Sequence, residues 1–380
     1  MRAMHVISLA IFLYEALTLI RPLRIRAAWK VLGLVLLLAA SFKNVIYQAI
    51  GGGMFFAPEL PRWAMLGGAS LYSFLIVALF LSILKDALWI AWRVLVQSRA
   101  FPSSSAACAV LIASACLTLW GTWEAVRVPD VVERDLILPG LHPDLDGLRV
   151  ALIVDLHASA LNRRPFVQAV VDRTNAASPD VVLMPGDFVD GSVEDRSEDV
   201  APLAQLRVPL GVWGTTGNHE WYSGYEDWMG HLKGLGISML ENEHVVLTSG
   251  DGRITIAGVP DPHSEAFGRP APDTRAALRG APPGVSVILM AHRPGGAKED
   301  ARAGATIRLS GHTHGGHMPI LDRIIARFNE GYVRGWYDVA SDGGRPMRLW
   351  VSPGASLWNG FPLRLFDPAE ISLFVLRAAP

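Results

Sequence analysis

Cysteine and net charge are both nearly absent from this sequence of 380 residues. The two cysteines, Cys108 and Cys116, lie in one apolar run, and we predict that they are small core or lipid-facing residues. The 34 basic and 35 acidic residues leave a formal net charge of -1. A chain without a global positive field does not recruit nucleic acid over a distance, so no nucleic-acid partner is expected.

Ionisable residues are also scarce in the first third, where the apolar excess is concentrated. Apolar runs occupy residues 6–20, 27–42, 64–84 and 106–123. The third run is long enough to cross a bilayer, and the others reach the roughly 20 residues needed when flanking residues are included. The first run could instead be a signal peptide, but Arg21 and Arg24 stand where a small-residue cleavage site should be. We predict a transmembrane region of about four helices over residues 1–126, which anchors the chain in the lipid bilayer.

Basic residues are unevenly divided between the two sets of loops that this arrangement creates. Loops one and three carry Arg21, Arg24, Arg26, Lys30, Lys85, Arg93 and Arg99. The amino terminus, the second loop and the segment after the fourth run carry Arg2, Lys43, Arg62, Arg127 and Arg134. The positive-inside rule therefore predicts a multi-pass cell-membrane protein with its carboxy-terminal domain outside the cytoplasm. Glu15 is the clearest ionisable residue within the runs, which argues against an ion-transport path.

The composition changes after the fourth run. A charged, proline-bearing segment at 127–147 is predicted to be a linker. Beyond it, helical patterns such as 164–175 and 273–278 separate apolar runs of strand length, which are 148–154, 181–184, 212–216, 285–290 and 306–309. The alternation of buried strands with helices predicts an α/β domain over residues 148–380.

Side chains that can bind metals follow the first two of these runs. Asp155 and His157 come after the first run, and residues two apart share one face of an extended segment. Asp187 comes just past the second run. Asp190 is predicted to be a turn residue or to form a hydrogen bond to a metal-binding side chain without binding the metal itself. Each residue taken alone is most simply a turn residue. Their recurrence at strand ends favours a shared site, because ligands of α/β sheets collect beyond the carboxyl ends of the strands.

The later runs end in the same way. The motif G-N-H-E at 217–220 offers the amide oxygen of Asn218 as a metal ligand and leaves His219 free to meet a substrate. His292 closes the next run, and the last run leads into G-H-T-H-G-G-H at 311–317. Glycines let the backbone bend tightly around His312 and His314. Taken alone, this stretch could equally be a solvated histidine-rich turn.

These ordered motifs, D-x-H, G-D-x-x-D, G-N-H-E, a single H and G-H-x-H, resemble those of the calcineurin-like metallophosphoesterase superfamily, in particular its subgroup with membrane-anchored or exported members. The resemblance implies a four-layer α/β/β/α sandwich with a dinuclear metal centre at one edge. The ligands that it implies for one metal ion are Asp155, His157, Asp187 and His314. Those that it implies for the second are Asp187, Asn218, His292 and His312, with Asp187 bridging. His219 would then contact the phosphate or protonate the leaving oxygen, and His317, often glutamine in the subgroup, is either a pocket residue or a surface residue.

The donor types agree with this resemblance. Carboxylates, imidazoles and one amide oxygen, without a thiolate, suit Mn, Fe, Zn or Co. Two such cations clamp a phosphate and acidify a water molecule for attack on phosphorus. The predicted function is a membrane-anchored phosphoesterase that hydrolyses phosphomonoesters or phosphodiesters by metal-activated water. The alternatives are a pyrophosphatase acting on a nucleotide-linked lipid and a membrane receptor that keeps the fold without catalysis.

Overall fold

The computed structural model describes residues 2–50, 58–97, 103–138, 140–341 and 346–378, and the chain divides into two compact units. The helical unit comprises Met1–Ala125 and Asn359–Leu365, and the α/β unit comprises Val126–Trp358 and Phe366–Pro380. Arg99 and the side chain of Arg2, both counted in the orientation argument, lie outside the described residues.

The helical unit contains the apolar runs of the first third. Its helices are α1 (Arg2–Glu15), continued by a π-helical turn at Ala16–Ile20, α2 (Ala27–Ser41), α3 (Lys43–Ile50), α4 (Arg62–Leu95) and α5 (Ser103–Val126). Of the roughly four predicted spans, α4 and α5 are long and apolar enough to cross a membrane. The pair α2 and α3, bent by 67°, adds a third if it is one broken span, while His5–Ile20 is a shorter apolar helix. Cys108 and Cys116 are both exposed on α5.

Two buried charged side chains of the helical unit, Glu15 and Lys43, have partners within it. Glu15 is fully buried and accepts a hydrogen bond from the Ser82 hydroxyl at 3.2 Å. Lys43 is also buried, and its Nζ donates to the carbonyl oxygen of Gly360 at 2.5 Å. The ammonium of Lys43 lies 4.7 Å from the centre of the Tyr72 ring, a cation–π contact. The short segment 359–365 therefore packs as part of this unit although it is distant in sequence.

Two six-stranded sheets form the α/β unit. The first has the order β1-β12-β2-β3-β4-β5, with bounds Asp130–Leu138, Glu370–Ala378, Arg149–Leu152, Val181–Pro185, Val212–Thr215 and Ile237–Met239. The second has the order β10-β11-β9-β8-β7-β6, with bounds Gly335–Val339, Met347–Val351, Ile307–Ser310, Val287–Met290, Gly252–Gly258 and Glu243–Ser249. The helices of this unit are α6 (Arg164–Ala176), α7 (Val193–Val200), α8 (Asn218–Tyr222), α9 (Tyr225–Gly234), α10 (Thr274–Ala277), α11 (Ala297–Ala303) and α12 (Leu321–Phe328).

Three apolar clusters hold these layers together. Leu152 of β2 packs with Ile256 and Leu309 of the second sheet in a core between the sheets. Its neighbour Ala151 packs on the other side, with residues of α6, α7 and α9, because successive strand residues point to opposite faces. A third cluster joins the outer face of the second sheet to α10 and α11. The predicted four-layer α/β/β/α sandwich is therefore confirmed, and strands covered on both faces account for the continuous apolar runs.

The segment 127–147, which we predicted to be a linker, contains a strand. β1 pairs in parallel with β12 along its whole length, and Arg134 forms two hydrogen bonds of 2.8 Å with the carboxylate of Glu370. Leu136 and Leu138 are buried while the residue between them is exposed, the period-two pattern of an edge strand. The charged residues interspersed in this strand obscured that pattern in the sequence.

Candidate metal centre

The side chains predicted to bind metals lie just past the carboxyl ends of strands of both sheets. Their potential ligand atoms form three groups, each within 4.8 Å, which are Asp155–His157–His314, His157–Asp187–His219 and Asp187–His292–His312. Shared members join the three groups into one connected cluster. Asn218, the first residue of α8, is also buried, and its Oδ1 accepts no hydrogen bond from the described residues.

The loops that carry these side chains have an unusual backbone conformation. Positive φ angles occur at Asp155 (55°), His157 (43°), Asp187 (55°), His312 (70°) and His314 (50°). Non-glycine residues rarely adopt this region, and such strain concentrates at functional sites. The prediction that Asp155 and His157 share a face of an extended segment is wrong. Asp155 and His157 do converge on one cluster, but they do so from a left-handed turn and not from an extended segment.

Glycines allow these loops to approach one another closely. A Cβ atom on Gly217 would lie 2.2 Å from Asp187 Oδ1, and one on Gly311 would lie 2.6 Å from Asp155 Oδ2. Neither distance is compatible with a side chain at the glycine. The loop after β4 can therefore contact the carboxylate after β3, and the loop after β9 can contact the carboxylate after β2.

Asp187 lies at the centre of the cluster. Its Oδ2 atom is 3.1 Å from Nε2 of His292, 3.5 Å from Nε2 of His157 and 3.9 Å from Nε2 of His219. Its Oδ1 atom accepts a hydrogen bond from the backbone N–H of His219 at 2.9 Å. One carboxylate thus faces imidazoles from three different loops.

The outer nitrogens of two imidazoles are fixed by hydrogen bonds. His292 Nδ1 donates to the carbonyl oxygen of Pro185 at 2.9 Å, and His157 Nδ1 lies 3.1 Å from Asp190 Oδ1. In both rings Nε2 is buried and makes no hydrogen bond of good geometry with the described residues. With Nδ1 protonated, the Nε2 lone pair is available to a metal, and the partner on Nδ1 sets the ring orientation.

Asp190 connects His157 to His219. The same Oδ1 atom that contacts His157 lies 2.5 Å from Nδ1 of His219. Burial would raise the pKa of the Asp190 carboxyl, but His157 and His219 outweigh burial and hold that pKa well below its usual value. Burial would lower the pKa of His219, but the nearby carboxylates of Asp187 and Asp190 outweigh burial and raise this pKa to about 9. His219 is therefore held in one orientation by an ionised partner.

Glu220, the last residue of the G-N-H-E motif, supports the loops of the cluster. It is fully buried, and its carboxylate accepts backbone hydrogen bonds from Gly217 (2.7 Å), Asp187 (3.0 Å) and Phe188 (2.7 Å). Glu220 thereby ties the loop after β3 to the start of α8. An acidic residue following a histidine within a glycine-bearing turn was the available signal.

A cleft of about 250 Å³ opens onto the cluster. Its polar lining includes Asp187, His219, His312, His314 and His317, so His317 is a residue of the cleft and not of the surface. Its other lining residues are Thr313, Ile325, Phe328, Asn329 and Trp358.

Arg293 and the aromatic residues that follow Glu220 lie beside the cluster and have partners there. Arg293, next to His292, forms an ion pair of 2.7 Å with the buried carboxylate of Asp261. Tyr222 lies with its ring centre 5.5 Å from that of His219, while Trp221 is buried and stacked on Tyr225. Trp221 is therefore a packing residue, whereas the Tyr222 ring lies beside His219.

Two facing sheets with buried carboxylates and imidazoles at their strand ends define an α/β sandwich protein with a candidate metal centre. The sequence model described as calcineurin-like phosphoesterase matches residues 148–316. A transmembrane protein with metallophosphoesterase domain from Danio rerio is 30% identical over 341 residues, covering 86% of this chain and 77% of that protein. The protein of the same description from Bos taurus is 33% identical over 275 residues, covering 70% of this chain and 61% of that protein. The chain belongs to the calcineurin-like phosphoesterase family.

Among solved structures, a 5'-nucleotidase precursor from Thermus thermophilus aligns with 55% of this chain and 49% of its own length, at 20% identity and a TM-score of 0.39.

The residues of the cluster fit the metal ions that membership of the family implies. The buried Nε2 atoms of His157 and His292 and the buried Oδ1 atom of Asn218 all lack hydrogen-bond partners among the described residues. Oxygen and imidazole donors without thiolates suit hard or borderline divalent and trivalent cations.

Proposed function

We propose that this chain is a membrane-anchored phosphoesterase with a dinuclear metal centre that hydrolyses phosphomonoesters or phosphodiesters. The observation that carries the proposal is the position of Asp187 Oδ2 between the Nε2 atoms of His157 and His292. A carboxylate in that position can serve two cations at once. The tether supplied by the helical unit would keep this activity at a bilayer, and the basic-residue distribution favours the extracytoplasmic side.

The cluster divides into two ligand sets around Asp187. One set would comprise Asp155, His157, Asp187 and His314. The other would comprise Asp187, Asn218, His292 and His312. Two bound cations would supply the positive charge that neutralises the phosphate and lowers the pKa of water. Mn, Fe, Zn and Co are the metals compatible with these donors.

His219 would act on the leaving group. Its Nδ1 is held by Asp190, so Nε2 is the ring atom that can give a proton, and the ring lines the cleft. Proton donation to the leaving oxygen by a positioned histidine contributes about 10²–10⁴-fold in rate. Asp190 would be a positioning residue, because it orients His219 and the ligand His157 through one oxygen atom without lining the cleft.

Elemental analysis of the purified full chain, combined with activity after chelation and re-addition of single metals, tests the proposal. We expect two metal ions per chain and hydrolysis that disappears on chelation and returns with a suitable metal. A chromogenic phosphomonoester, a phosphodiester and a nucleotide-linked lipid diphosphate, assayed in parallel, separate esterase from pyrophosphatase activity. A chain that binds the metals and cleaves none of these substrates would support the receptor alternative.

A further inference from the structure

An exposed apolar patch lies on α12 and the residue preceding it. Ile320, Ile324, Ile325 and Phe328 form this patch, and they recur at the three- and four-residue spacing of one helix face. The exposed fractions are 56% for Ile320, 45% for Ile324 and 83% for Phe328. Large exposed apolar residues described elsewhere in the α/β unit are dispersed, at Ile137, Phe267 and Phe366. A contiguous apolar surface of this kind marks a binding site.

The apolar patch is continuous with the candidate metal centre. Ile325 and Phe328 line the same cleft as Asp187, His219 and His312. The cleft therefore has polar, metal-competent groups on one side and apolar side chains on the other. Small-molecule sites commonly combine a few orienting polar groups with an apolar lining of this kind.

The position of α12 is fixed by the loop that carries the histidines. A Cβ atom on Gly316 would lie 2.4 Å from Cβ of Asp322, so this close approach requires glycine. The backbone N–H of Asp322 donates to the carbonyl oxygen of Met318 at 3.0 Å, and Arg334 lies 3.7 Å from the Asp322 carboxylate. These contacts fix the position of the apolar patch beside His312 and His314.

We infer that the substrate is an amphiphilic phosphoester, whose phosphate occupies the cleft beside Asp187 and whose alkyl or acyl chain lies along the apolar patch. This inference rests on the proposed function and specifies its substrate class. The polar groups of the cleft suit the phosphate, and the adjoining isoleucines and phenylalanine suit a chain that would otherwise remain in water. The occupant is the substrate itself and not the surface of a bilayer.

A series of soluble esters that differ only in alkyl length tests this inference. Ethyl, butyl, hexyl and octyl 4-nitrophenyl phosphates, with the corresponding alkyl phosphates in parallel, are assayed on the full chain below their micelle-forming concentrations. We expect kcat/KM to rise by up to about four-fold for each methylene group that the apolar patch covers. Comparing variant and wild type on the same ester cancels the partitioning of substrate into detergent.

The variants Ile324→Ser and Phe328→Ser, with Ile137→Ser as the control, localise the effect. Ile137 is 49% exposed and Ile324 is 45% exposed, so the two isoleucine variants remove similar surface at different places. We expect the octyl-to-ethyl ratio of kcat/KM to fall about ten-fold in Phe328→Ser, less in Ile324→Ser, and to keep its wild-type value in Ile137→Ser. Calorimetric titration with octylphosphonate and ethylphosphonate should show the same ratios in binding.

Each outcome separates this inference from the function on which it rests. Hydrolysis of esters of all chain lengths at one rate would overturn the inference of an amphiphilic substrate, while the proposed phosphoesterase function would stand. Variants that lose activity only on substrates embedded in vesicles, without any chain-length dependence in solution, would assign the apolar patch to the membrane and overturn the inference. Absence of hydrolysis of every ester would contradict the phosphoesterase, and the phosphonate titrations would still decide whether the apolar patch binds a chain.

Discussion

The two units of this chain distribute apolar and polar side chains in opposite ways. In the helical unit, large apolar residues such as Leu119, which is 74% exposed, face outwards, while the carboxylate of Glu15 is buried and hydrogen-bonded. In the α/β unit, residues such as Leu152 are fully buried between the sheets. A bilayer accepts apolar surface and water does not, so each distribution matches a different solvent.

Buried carboxylates show the same contrast in function. Glu15 accepts one hydrogen bond, from the Ser82 hydroxyl, so one of its two carboxylate oxygens is paired in an apolar environment. Asp187 is buried among three imidazoles at the ends of strands, with strained backbone around it. Burial alone therefore does not mark a functional carboxylate, and convergence of several ligand types does.

The largest effect should come from removing the shared carboxylate. In Asp187→Ala we expect turnover to fall by about 10⁴-fold or more and metal content to fall below two per chain, because both ligand sets lose a member. Elemental analysis and turnover with a chromogenic ester measure both quantities. Glu15→Gln, the matched change at a buried carboxylate of the helical unit, should keep both. Loss of activity in Glu15→Gln would break the contrast drawn between the units.

Removing the proposed proton donor should separate chemistry from metal binding. His219→Ala is expected to lower kcat by about 10²–10⁴-fold while metal content stays at the wild-type value. His142→Ala, at a histidine of the same unit whose side chain is 46% exposed, serves as the control. Metal loss in His219→Ala would show that this histidine is a ligand.

The same substitution, leucine to alanine, should lower the stability of the chain by different amounts in the two units. Leu152→Ala is expected to cost about 2–5 kcal/mol, because it leaves a cavity between the sheets. Leu119→Ala, on the exposed surface of α5, should cost less than about 1 kcal/mol in detergent. Thermal unfolding of the full chain in detergent, followed by circular dichroism, measures the difference. Equal costs would contradict the assignment of the α5 surface to lipid.

The smallest expected effect is that of substituting the positioning residue Asp190. Asp190→Asn preserves shape but removes the negative charge that faces His157 and His219. We expect kcat to fall about 10–100-fold, since residues that orient ligands have effects of this size, with KM close to the wild-type value. Steady-state kinetics and metal analysis together check this. A change in KM alone would place Asp190 in substrate binding and not in orientation.

Much of the site followed from one regularity of the sequence. Apolar runs of strand length end in Asp155, Asp187 and His292, and the structure brings these residues into one cluster. The roles of supporting residues were harder to predict. Asp190 pairs with His157 and His219, and Glu220 with Asp187 and Phe188, across about thirty residues of chain, and such distant pairs cannot be identified from a local pattern.

The sequence also missed features that depend on neighbours in space. β1 was not recognised because charged residues interrupt its apolar pattern and because its partner, β12, lies at the opposite end of the α/β unit in sequence. The segment 359–365 joins the helical unit through contacts such as that of Lys43 with Gly360, although nothing in its composition indicates this. The apolar face of α12 was not singled out, since its importance depends on the cleft that Phe328 lines.

By itself, the sequence determined the α/β class of the second unit and the residue types available at each strand end, because apolar runs specify buried strands and polar residues mark where they stop. Only the tertiary structure decided which nitrogen faces which oxygen. Those contacts depend on left-handed turns at Asp155, His157 and Asp187 and on glycines that let separate loops touch. Such distances are set by the packing of two sheets against each other, which is a property of the whole unit and not of any local stretch.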